Sequence, residues 1–290
     1  MATALITGAS SGIGLATSLE LARAGHKVFA TMRNPDAGAE LRETAARENL
    51  PIEIRRLDVS SDESVRACFD QIRERLDVLV NNAGVERHGA VEELPMSAFI
   101  ETMNTNYFGA VRCIHAVLPQ MREARSGCII NLSSVAGQIA SSPLGPYSAS
   151  KFALEAISEA LAGEVKRFNI RVAIVQPGIQ DTKMARSIEV PEQSAYPQPA
   201  RFAGLFRAAL SNPVPPQVTA DVIRGIVESG TSQLRHTSGP DAVPFLAWRK
   251  SMNDEDWVDW NALGDDAWYE RVQADFGINA RGGASAAAGE

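Results

Sequence analysis

The sequence predicts an α/β fold of a single domain: a doubly wound parallel sheet with helices on both faces. Three observations predict it. Short runs rich in Val, Ile and Leu lack the polar alternation of a one-sided strand. Longer amphipathic stretches separate these runs in regular succession, and a glycine-rich turn lies at the first junction. Continuous apolar runs suit strands buried on both faces of a parallel sheet. Repeated βα units specify right-handed crossovers that lay helices on either side.

In chain order, strands are expected at 4–7, 28–32, 52–57, 78–81, 129–133 and 172–176. Helical patterns fill the intervals at 13–24, 36–48, 62–75, 97–124 and 147–168. Gly25 closes the first helix, and Ser61-Asp62-Glu63-Ser64 opens the third with capping chemistry. After Pro177 the periodicity fades. Residues 182–217 carry six prolines (Pro191, Pro197, Pro199, Pro213, Pro215 and Pro216) and read as a lid or loop beside a substrate site. A further helix is expected at 217–229 and a last strand at 233–237. A C-terminal helical extension over 240–280 gathers Phe245, Trp248, Trp257, Trp260, Trp268 and Tyr269, read as packing or subunit contacts. The domain is expected to span 1–280, with a disordered Gly/Ala-rich tail at 281–290.

Charge excludes one class of partner. The 290 residues carry 28 basic and 35 acidic side chains, a net of -7, whereas nucleic-acid binding requires a cationic surface that displaces counterions. No apolar run approaches the ~18 residues needed to span a bilayer, so no membrane insertion is expected. Residues 1–6 lack the basic and apolar regions of a secretory signal. Cys68, Cys113 and Cys128 are odd in number and widely spaced, which favours a reducing, cytoplasmic setting over a disulfide framework. Cys113 and His115 lie two apart in a helical pattern and face different ways, so no metal site is expected.

The turn Thr7-Gly8-Ala9-Ser10-Ser11-Gly12-Ile13-Gly14 joins the first strand to the first helix. Gly8 and Gly12 let the backbone turn tightly and approach a pyrophosphate, and Gly14 lets helix and strand pack closely. The helix N-terminus then offers free N–H groups and partial positive charge to the phosphates. At the end of the second strand, dinucleotide enzymes selective for NAD place an acid that bonds the ribose 2′-hydroxyl. Here the sequence is Thr31-Met32-Arg33-Asn34. Arg33 can pair with the 2′-phosphate of NADP(H) through charge-assisted hydrogen bonds.

These pieces, followed by Asp58-Val59, Asn81-Asn82-Ala83-Gly84, Asn106, Ser134, Tyr147-x-x-x-Lys151 and Pro177-Gly178, closely resemble the short-chain dehydrogenase/reductase family over roughly residues 1–184. Within it, the arginine-bearing second strand and the Tyr147 helix look like the 17β-hydroxysteroid and retinol dehydrogenase branch. The resemblance implies a Rossmann-type sheet and a catalytic set of Asn106, Ser134, Tyr147 and Lys151, with Asn104 as the alternative to Asn106. The family spacing to the tyrosine selects Ser134 over Ser133. It further implies cofactor contacts from Gly8, Ser10, Ser11, Gly12, Ile13, Gly14, Arg33, Asp58, Val59, Asn81, Ala83, Gly84, Pro177, Gly178, Ile179 and Thr182, with Tyr147 and Lys151 beside the nicotinamide ribose. Asp58 is expected at the adenine edge, and Asn106 is expected to connect Lys151 to a water-borne proton path.

Residue chemistry agrees with this carry-over. Tyr147 and Lys151 are four apart and share a helix face. A free phenol titrates near ~10, and a neighbouring ammonium is expected to lower that value. The Ser134 hydroxyl can hydrogen-bond a substrate oxygen. Glu86, Arg87 and His88 follow the Asn-Asn-Ala-Gly turn and are read as a solvated loop near the substrate mouth. The expected activity is hydride transfer between NADP(H) and a carbonyl or secondary alcohol of an apolar small molecule, with Tyr147 as general acid/base. The alternatives are an NAD(H)-dependent alcohol or hydroxysteroid dehydrogenase and a non-catalytic dinucleotide sensor. The helices at 97–124 and 147–168 correspond to the family's subunit interface, so a homodimer or homotetramer is expected.

Overall fold

The computed structural model describes residues 1–283. Seven parallel strands form one sheet: β1 (Thr3–Thr7), β2 (Lys27–Met32), β3 (Ile52–Arg56), β4 (Val78–Asn81), β5 (Gly127–Leu132), β6 (Ile170–Pro177) and β7 (Arg235–Ser238). Their order is β3-β2-β1-β4-β5-β6-β7, the doubly wound arrangement, and it reverses between β1 and β4. A crevice opens beyond the carboxyl ends of strands at such a reversal.

Sequence explains why both faces are covered. Neighbouring strand residues point oppositely, so Leu5, Leu79 and Ile129 enter one apolar cluster while Ile6, Val80 and Ile130 enter the other. The first cluster is closed by α3 (Asp62–Asp70), α5 (Gly109–Ala124) and α6 (Gly145–Val165), through Val65, Val117, Met121 and Leu161. The second is closed by α1 (Gly12–Arg23), α2 (Ala39–Glu48) and α9 (Gln217–Ser229), through Leu21, Leu41 and Ile223. Ser61 caps α3 as its sequence demands, accepting from the Ser64 N–H at 3.1 Å.

Three features differ from the sequence expectations. The long helix expected at 97–124 divides into α4 (Met96–Met103), a π-turn (Asn104–Phe108) and α5. A π-turn adds a residue to one helical turn and re-aims the helix beyond it. The lid region holds α7 (Lys183–Arg186) and the longer α8 (Gln198–Ala209). Its prolines lie at and before helix starts, Pro199 in the first turn of α8 and Pro216 immediately before α9, where a missing N–H costs nothing. The start of the expected tail, 281–283, is instead folded. Residues Ala280–Gly283 form a 3-10 turn against α8, and Arg281 pairs with Asp266 at 2.6 Å. The remainder of the expected tail, 284–290, lies outside the described residues.

The C-terminal helices α10 (Ala242–Lys250), α11 (Asp254–Asn261) and α12 (Asp265–Phe276) pack their aromatics with Leu205 of α8. Among the described residues no helix is long and apolar enough to cross a membrane, and the three cysteines are buried and unpaired.

A polar ladder crosses the sheet interior. Asn81 Nδ2 donates to Asn131 Oδ1, and Asn131 Nδ2 donates to Ser158 Oγ on α6, each at 2.8 Å. Replacing Asn131 with Leu leaves Asn81 Nδ2 without its acceptor in the core and takes from Ser158 Oγ one of its two bonds. Asn131→Leu is expected to destabilise the protein by about 1–3 kcal/mol, read from the urea midpoint at an unchanged m-value. An unchanged midpoint would show that the ladder carries no stability.

Candidate active site

The cradle begins where β1 ends. Gly8 adopts φ +69°, and a Cβ there would stand 2.8 Å from Ala83 Cα. Gly12 at φ +55° faces Thr182 across a gap that a side chain would close, with a Cβ 3.2 Å from Thr182 Cγ2. Gly14 lies deeper, where a Cβ would collide with the Gly8 carbonyl; it serves helix packing and does not line the cavity. Ser11 precedes α1 in extended conformation without making a side-chain cap, so the first N–H groups of that helix have no side-chain acceptor. Ser10, Ser11, Gly12 and Ile13 line the cavity there. Bare N–H groups beside residues with no room for a Cβ fit the phosphates of a dinucleotide.

The turn after β4 holds this cradle in place through Asn82. Its Nδ2 donates to the carbonyls of Thr7 at 2.8 Å and Gly8 at 3.1 Å, while Thr7 Oγ1 accepts from the N–H groups of Asn82 and Ala83. The expectation for Asn81 is corrected here. Asn81 is buried in the ladder, away from the cavity, because it is the last in-sheet residue of β4. Asn82 had appeared in the sequence only as part of the turn. Ala83 and Gly84 line the cavity.

At the far end Arg33 is exposed on the rim, with no hydrogen bond or ion pair among the described residues. Asp58 accepts from the Ser60 N–H at 2.9 Å, and Val59 is wedged against Gly109, where a Cβ would meet its side chain at 2.7 Å. Both line the same cavity.

The reactive end is assembled from β5 and α6. Ser134 follows β5, accepts from the Ala136 N–H at 3.1 Å, and lies close enough to Tyr147 to hydrogen-bond its phenol. Tyr147, Lys151 and Glu155 succeed each other one turn apart on α6. Lys151 is 5% exposed; its Nζ donates to the Leu132 carbonyl at 2.6 Å and stands 5.5 Å from the Tyr147 ring centre. Burial brings its ammonium down to about 8, opposed by the negative charge of Glu155. Glu155 is itself fixed by Gln176 at 3.0 Å and Arg235 at 2.8 Å.

The phenol runs against its sequence expectation. Burial pushes Tyr147 up to about 12; the Ser134 hydrogen bond opposes the shift, and the Glu86 carboxylate adds to it. Desolvation of the anion is the largest cause, and burial also pushes the Lys151 ammonium toward its neutral form.

Asn106 occupies the π-turn and is buried. It clamps Val85, accepting from its N–H and donating to its carbonyl, both at 2.8 Å, and donates to Ser150 Oγ at 2.9 Å. It makes no direct bond to Lys151, and neither it nor Asn104 lines the cavity; Asn106 reaches the site only through Val85 and Ser150. Beyond β6, Pro177, Gly178, Ile179 and Thr182 line the cavity. Ile179 is held by a residue absent from the sequence reading: Asp241 Oδ2 accepts its N–H at 2.7 Å.

All of this opens into one cavity of about 600 Å³. Its outer wall includes Phe202, Phe206, Phe245, Trp248, Trp257, Trp260 and Phe276. The C-terminal aromatics, read from sequence as packing or subunit contacts, therefore also line the cavity. They do pack as well, Trp248 meeting Trp260 edge-on at 4.9 Å between ring centres.

The family model described as short chain dehydrogenase matches residues 2–193. The chain belongs to the short-chain dehydrogenase family. Its members are oxidoreductases that use NAD or NADP. Bovine (Bos taurus) retinol dehydrogenase 8 is 38% identical over 262 residues, 84% of each chain. A 3-ketodihydrosphingosine reductase of Bacteroides thetaiotaomicron is 46% identical over 178 residues, and this match spans 60% of the present chain and 62% of the reductase's length. A short-chain dehydrogenase structure from Streptomyces avermitilis superposes with TM-score 0.76 at 35% identity, covering 90% of this chain and 96% of that one. A Burkholderia phymatum family structure in complex with NAD gives TM-score 0.77 at 25% identity, covering 86% and 93%. An alcohol dehydrogenase structure from Thermococcus sibiricus complexed with 5-hydroxy-NADP gives 0.69 at 25%, covering 82% and 95%.

For this member of the short-chain dehydrogenases, the contrast between the adjacent asparagines is testable. Asn82→Ala releases the Thr7 and Gly8 carbonyls and is expected to weaken dinucleotide binding by about tenfold or more, the worth of two lost hydrogen bonds. Isothermal titration against NADPH and NADH checks it; wild-type affinity in this variant would remove Asn82 from the cradle.

Proposed function

We propose that the protein transfers a hydride between NADP(H) and a carbonyl or secondary alcohol of an apolar small molecule, with Tyr147 as general acid/base. One observation carries the reading: a single cavity runs from the Gly8–Gly12 turn, past Tyr147, Ser134 and Lys151, to an aromatic wall. Bound along the sheet edge, the dinucleotide supplies or accepts the hydride.

The chain's own residues do the rest. In reduction the Tyr147 hydroxyl gives its proton to the carbonyl oxygen as charge develops there, and the Ser134 hydroxyl donates a hydrogen bond to the same oxygen. Lys151, anchored by the Leu132 carbonyl, places positive charge beside the phenolate that results. Asn106 keeps the Val85 segment and the start of α6 in register with the phenol through Ser150. The aromatic wall excludes water and favours an apolar substrate. In oxidation the proton runs the other way. Arg33 supports NADP(H): among the described residues it is an unpaired guanidinium on the rim where the second strand ends, flanked in the chain by Met32 and Asn34 where an NAD-selective strand would carry an acid. The exposed apolar side chains Ile100, Phe108 and Phe152 on α4, the π-turn and α6 support the expected homodimer or homotetramer.

Tyr147→Phe is expected to bind dinucleotide as the wild type does and to lose nearly all turnover across a panel of aldehydes, ketones and steroids, followed by nicotinamide absorbance. Retained turnover would refute the general-acid role, and binding without turnover in the wild type would mark a sensor. Arg33→Ala is expected to raise KM for NADPH about tenfold or more while barely moving that for NADH; equal changes would disconnect Arg33 from the 2′-phosphate.

The pH profile has a definite sign. Lys151 titrates near 8 instead of ~10.4, so its charge is present below that value and lost above it. Tyr147 stays protonated throughout this range. Reductive kcat/KM is therefore expected to fall as pH rises through about 8. Glu155→Gln removes the charge that props Lys151 up and should move the falling limb to lower pH. A limb that stays in place in Glu155→Gln would contradict the assignment to Lys151.

A further inference from the structure

We propose that Glu86 determines substrate specificity: its unpaired carboxylate oxygen accepts a hydrogen bond from an O–H or N–H that the substrate carries close to its reacting carbon. The inference deepens the oxidoreductase reading above and rests on it.

The Glu86 side chain is 8% exposed and lines the cavity. Its two oxygens have different fates. Oε2 meets His88 Nδ1 at 3.2 Å, whereas Oε1 is buried and has no partner among the described residues. Buried carboxylate oxygens are ordinarily hydrogen-bonded, and an open one in a ligand cavity is an acceptor awaiting a donor.

The carboxylate is also held in place. Asn106 grips both backbone polar groups of the preceding Val85. His88 is braced in turn, with Nε2 3.4 Å from the Glu189 carbonyl and its ring 6.1 Å from that of Phe202 on α8. Arg87 does not pair with Glu86, because it turns outward to Glu101 at 2.9 Å. The cation beside Glu86 is the imidazolium of His88, which the carboxylate favours through Oε2 and which leaves Oε1 open.

Two facts locate the donor on the substrate. Glu86 and Tyr147 both line the one cavity, and Asn106 bonds Val85 and also Ser150, whose hydroxyl donates to the Tyr147 carbonyl. Glu86 thus follows a residue tied to the turn of α6 that carries the phenol, and a group bonded to Oε1 lies toward the reacting carbon. The surroundings are otherwise apolar, with Leu144, Ile188, Phe202 and Phe206 packed around Tyr147. The substrate class is thus a ketone or secondary alcohol with an adjacent hydroxyl or amino group and an apolar remainder. A site built to bond such a donor discriminates against the analogue lacking it, because binding the analogue leaves the carboxylate unpaired.

The test compares 2-undecanone with 1-hydroxy-2-undecanone and 1-amino-2-undecanone hydrochloride, in the wild type, Glu86→Gln and Glu86→Ala. The readout is the kcat/KM ratio of each donor-bearing ketone to the plain one. Loss of charge beside Tyr147 acts on all three substrates, so a change in the ratio reports what the substrate's donor does at Glu86. The wild-type ratio is expected to be about tenfold or more for at least one donor, falling to near one in Glu86→Ala. Glu86→Gln, nearly isosteric and still an acceptor, should lose at least about threefold of the ratio, which keeps the proposal exposed should the alanine variant fail to fold. Which ketone is favoured distinguishes hydroxyl from amine. A wild-type ratio near one, or a ratio that survives both substitutions, overturns the role of Glu86 while leaving the oxidoreductase reading intact. If none of the three ketones turns over, that failure belongs to the reduction of this substrate class and not to the role of Glu86. The same ratio is then read as Kd from quenching of the cavity tryptophans, and there too loss of the preference in Glu86→Ala supports the proposal and its persistence overturns it.

Discussion

The structure depends most on burying one lysine ammonium between β5 and α6. A desolvated cation is costly unless it is hydrogen-bonded and faces an opposing charge. Lys151 has the Leu132 carbonyl at 2.6 Å on one side and the Glu155 charge one helical turn away. Glu155 would in turn be a buried anion, and it is met by Arg235 on β7 and Gln176 on β6. The chain of charges therefore ties the last two strands to the helix that presents Tyr147. Any shift of α6 along the sheet would break several of these bonds together.

The parts of this arrangement that the sequence revealed are those with short-range signatures. Apolar runs located the strands to within a few residues, and the Tyr147–Lys151 spacing placed two side chains on one helix face. Arg33 was legible as a departure from an acid at a defined position. Asn82 was not separable from Asn81 by pattern, since adjacent residues at a strand end differ only in which way the pleat turns them. The decisive fact, that Asn81 points into the sheet toward Asn131, is a relation between strands 50 residues apart. Asp241 and Arg235 were invisible for the same reason: their partners, Ile179 and Glu155, are distant in sequence.

The C-terminal aromatics show a different limit. Their clustering was plain, and a packing role was a fair reading of tryptophans at helical spacing. Trp248 does pack edge-on against Trp257, Trp260 and Phe276. Position alone decides that these rings also bound the cavity. The clip between Asp241 and Ile179 brings the start of α10 against the end of β6, and the ring cluster is carried to the cavity mouth with it. Residues far beyond the span of the family match, 2–193, thus shape the substrate end of the cavity.

The phenol's environment also bears on direction. Burial and the Glu86 charge hold Tyr147 protonated well above neutral pH. On the proposed reading, the acid needed for reduction is the form already present, whereas oxidation needs an anion that this pocket disfavours. The overall equilibrium is fixed by the reactants, so the pocket cannot change it. It can change how each direction responds to pH: oxidation must first remove a proton from a reluctant group, and reduction need not. A donor bonded to Glu86 would withdraw part of that carboxylate's charge from the phenol. Substrate binding and phenol acidity are then coupled through a single side chain, and the group that selects the substrate also eases the ionisation that its own conversion requires.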